Sequence, residues 1–307
     1  MLPATSRLKY KQNRREDEHN QMSEETSKFI VWASKGSKAI DEFLDLTSPF
    51  LLEQPQIDPQ LQWVLKQLAI SCSQTSESAL LLISYEHLWD AEILVRSVIE
   101  GTLKYAFLCV GSGTELLEKV QEYWEDLPEI TRMKRHGRVQ AFFDEVDNPD
   151  AEAWRSVRDL LMQPDELNAL RSQYPRGRRQ QLEQKWSFSE IIRSLSNAGV
   201  PGLEAMHTLA YGYGMASHLV HQDADAMGII WDRRQREDER RIPLEIAHAA
   251  RLISDLIVMA MLRATMTYKL HNQETKPAQD LYQAYQVIQD ELSEAITQWG
   301  NVEYPSG

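Results

Sequence analysis

The chain has 307 residues, with 33 Lys and Arg against 46 Asp and Glu, a formal net charge of -13. With 42% hydrophobic and 26% charged residues, it has the composition of a folded globular protein, which excludes wholesale disorder and fibrous architectures. Two cysteines, Cys72 and Cys109, exclude a disulfide framework and a Cys-rich zinc site and suit a reducing cytoplasm; the acidic balance argues against non-specific coating of nucleic acid, though not against a local basic patch.

The first two dozen residues are polar with mixed charge and lack an apolar stretch of signal-peptide type, so residues 1–24 read as a mobile arm. Ser23-Glu24-Glu25 is a helix start, and apolar spacing runs from Phe29 to about Leu52. The Pro55/Pro59 pair breaks the pattern, with Asp58 as N-cap and Pro59 at the first helical position. Helical periodicity then continues almost to Gly111, with a kink or break expected in the serine-rich stretch Ser71–Ser78. Further helices are predicted near Thr114–Asp126, Ala151–Met162, Ser187–Ala198, Leu203–His221, Leu244–His271 and Ala278–Trp299. Strand-like alternation bounded by hairpin turns is missing. The longest apolar stretches, Tyr105–Val110 and Leu256–Leu262, fall short of the ~20 residues a membrane span needs, so no membrane is expected.

This gives an all-α fold: a helical bundle with two long central antiparallel helices, Ala79–Val110 and Leu203–His221. A single helical domain covers 25–300, a charged, proline-punctuated insertion occupies 127–186, and 301–307 is a tail. The last helix carries a stripe of Leu281, Tyr285, Ile288, Leu292, Ala295 and Trp299, which is expected to pack on the body or, alternatively, to form a homodimer seam.

Two polar constellations point inward from apolar helices. On the first helix, Glu92 and Glu100 fall within about 40° of Arg96 on a helical wheel, among Trp89, Leu103 and Phe107. Arg96 and Glu100 are either a plain structural ion pair or a fixed guanidinium that marks an anion pocket, with Glu100 holding it. On the second helix, Tyr213, Ser217 and His221 step by four on the side that also carries Met206 and Ala210, so the row is expected to face the core. It is either a set of satisfied core polar groups or an acid/base site built on His221. His218 points about 100° away, toward the outer face. His218, His221, Asp223 and Asp225 are all metal-ligand types, but their spacing matches no strong metal signature; the aspartates read as caps and no metal is assigned. Walker A, dinucleotide, nucleophile-elbow and H-E-x-x-H motifs are all missing, and no cofactor is expected. Basic clusters at Arg132, Lys134, Arg135 and Arg138 and at Arg176, Arg178 and Arg179 are solvated faces, or meet nucleic-acid phosphates if the two converge.

Ile93–Glu100 with its Arg96-Ser97-x-x-Glu100 core, the stretch Trp186-Ser187-Phe188-Ser189, and Tyr213-x3-Ser217-x3-His221 together resemble a widespread prokaryotic all-helical family of unknown function. Some of its members lie near phage-defence genes, and it is similar in outline to HEPN proteins, helical bundles that include many metal-independent RNases and toxins. The resemblance covers about Ala79 to Gly228. It implies a cytoplasmic bacterial defence or stress effector with RNA, or a protein encoded nearby, as partner. His221 would act as acid/base, Arg96 would stabilise charge on a phosphate, Ser217 and Tyr213 would orient, and Glu100 would hold Arg96. The HEPN nuclease motif, Arg followed after four to six residues by His, occurs at Arg14/His19 and Arg241/His248, as often as chance placement gives, and not at the resembling row. A non-enzymatic helical scaffold or partner-binding subunit is the alternative.

Overall fold

A computed structural model describes residues 24–305 except 53–56, 201, 205, 207–213 and 215–216. The described residues form helices and no strand. Three long helices open the fold: α1 (Glu24–Leu51), α2 (Pro59–Ser84) and α3 (Leu88–Cys109). Asp58 caps α2 as predicted, accepting from the amides of Gln60 and Leu61, with Pro59 directly after it. α1 and α2 run antiparallel: the Ser37 hydroxyl donates to Glu77 at 2.9 Å, and Gln62 reaches back to the Phe50 carbonyl.

The helix foreseen over Ala79–Val110 is in fact two. The chain reverses at Tyr85-Glu86-His87, and α2 and α3 form a hairpin. Glu86 takes a left-handed φ of 64°, and the His87 amide bonds the Leu82 carbonyl. Glutamate is a poor marker of that conformation, so the turn carries no Gly or Asn to announce it. No break occurs in the serine-rich stretch Ser71–Ser78, where α2 is continuous; the Ser76 and Ser78 hydroxyls bond back onto the carbonyls of Cys72 and Gln74.

After α4 (Thr114–Gln121) comes a π-helical turn, Glu122–Asp126, which leads into α5 (Leu127–Glu145). The segment read as an insertion continues with α6 (Arg155–Arg158), α7 (Pro164–Gln173) and α8 (Arg176–Lys185), followed by α9 (Phe188–Ser196). It has a small core of its own: Ile130, Met133, Met162, Leu167, Tyr174 and Leu182. Of the helix expected over Ala151–Met162 only a 3-10 turn and the four residues of α6 form. Helix α10 (Ala224–Gln235) then feeds α11 (Asp238–Leu270), and α12 (Lys276–Ala284) and α13 (Gln286–Glu303) close the chain.

The central element is α11. It packs on α1, α3 and α13. Its pairings with α3 climb in step: Glu92 with His248, Thr102 with Arg263, Tyr105 with Thr267. The two helices therefore run parallel, which requires the long crossover that the chain between them supplies. The partner foreseen for α3, Leu203–His221, lies largely outside the described residues; among the described residues α3 packs on α2 and α11. The stripe expected on the last helix does pack on the body, with Ile288, Leu292 and Ala295 in the main core. That stripe spans two helices broken at Tyr285, whose hydroxyl donates to Glu42 at 2.7 Å. The helical pattern also outlasts the expected boundary at 300, since Glu303 is held by Arg236 and Arg240. No helix among the described residues is long and apolar enough to cross a membrane.

Close approach of α2 and α3 depends on Gly101. A Cβ there would lie 2.7 Å from the buried Cys72 Sγ. Gly101→Ala is expected to lower stability by about 1–2 kcal/mol, since overpacking outweighs the gain in helix propensity. In a Cys72→Ala background the same change becomes neutral or stabilising; urea unfolding midpoints of the four proteins check this.

Candidate functional site

The α3 helix is apolar nearly all round, so its few charges meet other helices. Arg96 is half-buried, and Glu100, also half-buried, pairs with Lys104 one turn on at 2.7 Å. Beside Glu100 a cleft of about 190 Å³ lies between α2 and α3, lined by Ser71, Thr75, Ser97, Lys104 and Tyr123 among others. Tyr213 lies outside the described residues. Ser217 is half-buried, whereas His221 is exposed at the end of its helical turn, not facing the core as its spacing suggested. The chain turns over just beyond it, at Gln222 with φ 49°, so its last side chain leaves the packed face.

His218, expected on the outer face, is half-buried, and its Nδ1 lies 2.5 Å from Asp223 Oδ2. Asp223 also caps α10 through the Ala226 amide. With Asp225 these groups offer three ligand atoms within 4.8 Å of one another, the arrangement that comes nearest to a metal set among the described residues. The capping role read from the sequence accounts for Asp223; Asp225 is exposed in the first turn of α10.

The basic clusters lie on helices, not loops. Arg132 pairs with Glu129 and Glu166, Lys134 with Glu183, and Arg178 with the buried Asp126. The Lys134–Glu183 pair joins α5 to α8, so the two clusters sit on adjacent helices. Arg135, Arg138 and Arg176 are exposed and Arg179 is half-buried. Trp186 is buried against Phe107 and Tyr123 and donates to Glu122 at 2.9 Å, while Ser187 caps α9. The Trp–Ser stretch is thus explained by packing and capping.

A partly buried charge cluster lies elsewhere, where α3, α10 and α11 meet. Glu92 accepts from His248 Nε2 at 2.7 Å and also pairs with Arg251. Arg233 of α10 donates to His248 Nδ1 at 3.3 Å and stacks over Trp89, its guanidinium carbon 4.5 Å from the ring centre. Trp89 itself meets the His248 ring edge-on at 5.0 Å. Arg251 reaches Asp255 at 3.2 Å. Glu92 and His248 are less than a tenth exposed, but the Arg251 side chain is 41% exposed, so the cluster opens to solvent on that side.

The protonation states follow from the donors. An arginine does not give up its proton, so His248 Nδ1 must accept; Nε2 then carries the hydrogen and the imidazole is neutral. Burial agrees, holding the His248 pKa below its ordinary value against the pull of Glu92. Burial raises the Glu92 carboxyl, but the His248 hydrogen bond and the Arg251 charge outweigh it, so it sits below the ordinary carboxylate range. With His248 neutral, Arg251 and Arg233 are the counter-charges of Glu92. Burial pushes Asp255 up to about 6 in spite of Arg251. A neutral imidazole held by a carboxylate and flanked by two guanidiniums is suited to proton transfer beside a phosphate.

Periodicity within one helix does not bring this cluster together. Glu92 was visible beside Arg96, but His248 and Arg251 sit on an otherwise apolar face, and only the packing of α11 on α3 brings them to Glu92. The available signal was the row Leu244, His248, Arg251 and Asp255 on one side of a long helix.

The model of a family of unknown function (DUF5677) matches residues 62–239. The match takes in Glu92, Arg96, Ser217, His221 and Arg233 and stops before His248. No curated protein and no solved structure matches the chain. Because the match spans more than half of the sequence, the chain belongs to the family of unknown function DUF5677.

Proposed function

We propose that this protein is a cytoplasmic effector of bacterial defence or stress response, with a HEPN-like core, that cleaves RNA without a metal. The observation that carries the reading is His248, held neutral between Glu92 and Arg233 with Arg251 alongside. In this chemistry the 2′-hydroxyl attacks the adjacent phosphorus. A new P–O2′ bond forms and the P–O5′ bond breaks, leaving a 2′,3′-cyclic phosphate and a 5′-hydroxyl. A substrate phosphate draws the Arg233 guanidinium off His248, which frees Nδ1 to take the 2′-hydroxyl proton. Arg251 stabilises the charge that builds on the phosphorane. His221, exposed on the turn that leads into α10, is the candidate donor to the leaving O5′. Arg96, one turn after Glu92, supplies further positive charge, with Glu100, Ser217 and Tyr213 as orienting groups. The exposed Arg135, Arg138 and Arg176 contact the RNA backbone away from the reacting phosphate.

The test uses purified full-length protein and a labelled RNA in the presence of a chelator. Wild type is expected to give cyclic-phosphate ends. His248→Asn and Arg251→Ala, with folding checked by circular dichroism, are expected to lose about 100-fold or more. Intact RNA with wild type, or full activity in His248→Asn, overturns the assignment. Expression in bacteria of wild type beside Arg96→Ala and His221→Ala, scored for growth and total RNA, tests those two residues separately.

One observation favours a second reading. Glu92 and His248 are sealed to less than a tenth of their surface, as in a structural ion cluster. On that reading the chain is a non-enzymatic scaffold, binding a partner encoded nearby or a second copy of itself. Retention of partner binding by a His248→Asn protein without RNase activity in either form supports it.

A further inference from the structure

The cleft between α2 and α3 is lined by hydroxyls that the fold itself does not use. Ser71 and Thr75 stand one turn apart on α2, Ser97 lies on α3, and Tyr123 comes from the π-helical turn. None of these four hydroxyls bonds to another described residue. Ser76 and Ser78 of the same α2 helix behave differently, turning back onto carbonyls four residues earlier. Each hydroxyl of the cleft is both a donor and an acceptor. Burial, with Cys72 and Glu100 nearby, raises the Tyr123 pKa, so the phenol keeps its proton.

The rest of the lining narrows the chemistry. Glu100 and Lys104 are its charged groups among the described residues, and they pair at 2.7 Å. Their charges cancel, so the cleft offers an ionic ligand no net counter-charge. Leu68 and Val98 add apolar surface. The volume of about 190 Å³ lies below the range of about 300–1,000 Å³ typical of drug-sized ligands. A small, neutral ligand with hydroxyls on its rim and C–H groups on its face matches this lining.

We propose that the cleft binds a single neutral sugar ring, either free or as the ribose of a nucleoside. Ser71, Thr75 and Ser97 exchange hydrogen bonds with the ring hydroxyls, Tyr123 donates to one of them, and Glu100 accepts from a vicinal diol. The site lies two turns along α3 from Glu92. The inference goes beyond RNA cleavage and does not rest on it.

The test is saturation-transfer NMR on the full-length protein with D-ribose, D-glucose or uridine. The expected result is a saturable signal from sugar protons. Binding is expected to be about 3- to 10-fold weaker in Thr75→Val, which removes one hydrogen-bonding group and keeps the shape. It is expected to vanish in Ser97→Phe, whose ring fills the cleft from an exposed position. Circular dichroism checks that both variants fold, and Thr75→Val suffices if Ser97→Phe does not. Saturation by ribose or glucose assigns a free sugar, and saturation by uridine alone assigns a nucleoside. The proposal is overturned if none of the three probes gives a saturable signal, or if the folded variants bind as wild type does. Displacement of the sugar by an equal concentration of inorganic phosphate also overturns it, since the cleft would then favour an anion.

Discussion

Glu92→Ala is expected to destabilise the protein by about 3–5 kcal/mol, the usual cost of removing one partner from a buried charge cluster. The carboxylate accepts from both His248 and Arg251 and is 6% exposed. Its loss leaves the guanidiniums of Arg251 and Arg233 flanking a neutral imidazole, with Asp255 still pairing with Arg251. Glu92→Gln keeps the shape and one acceptor and is expected to cost less than the alanine change. Removing Arg251 as well relieves the repulsion, so Glu92→Ala with Arg251→Ala is expected to cost less than the sum of the single changes. Urea unfolding at pH 7 of wild type, Glu92→Ala, Glu92→Gln, Arg251→Ala and the double variant reads these differences, and a Glu92→Ala protein as stable as wild type would show that the cluster contributes nothing.

The second large effect is a reversal of pH dependence at Asp255. Its folded pKa, about 6, lies above the unperturbed 3.8. A group raised in this way contributes stability that is fully present below about pH 4 and is lost as pH rises through 6. The difference corresponds to roughly 3 kcal/mol when Asp255 is ionised. Asp255→Asn removes this half-buried charge and is expected to be more stable than wild type above pH 7, by less than that amount because solvent screens the partly exposed carboxylate, with the advantage gone by pH 4. The bond to Arg251 at 3.2 Å, weakened in the variant, reduces the gain. His248 acts in the opposite direction. Its folded pKa is depressed, so its contribution is present above the ordinary value of 6.5 and is lost as pH falls below it. The two trends oppose each other in wild type. In Asp255→Asn the acid-side loss stands alone, and in His248→Asn it disappears. Unfolding midpoints from pH 4 to 8 for the three proteins separate the two groups.

Local rules worked where the chain uses common chemistry. Asp58-Pro59 reads directly as a capped helix start, and the apolar stripe of Ile288, Leu292 and Ala295 reads directly as a core face. They missed where it does not. Glu86 makes a left-handed turn without glycine, so one expected helix is two. His221 leaves the face that its spacing assigns because the turn at Gln222 ends the regular geometry.

What the sequence determined by itself is the all-helical class, the absence of long apolar spans, and the polar row of α3, because these depend on periodicity within one helix. What only the tertiary structure decided is which charges meet. Glu92 and His248 lie 156 positions apart, and their contact follows from α11 lying parallel to α3 after the long crossover. Arg263 shows the same limit: on a helical wheel it is one more arginine, and only the packing of α11 against α3 buries it beside the Thr102 hydroxyl. Helix periodicity fixes which side of a helix is buried, but the choice of neighbour and its direction are properties of the assembled bundle.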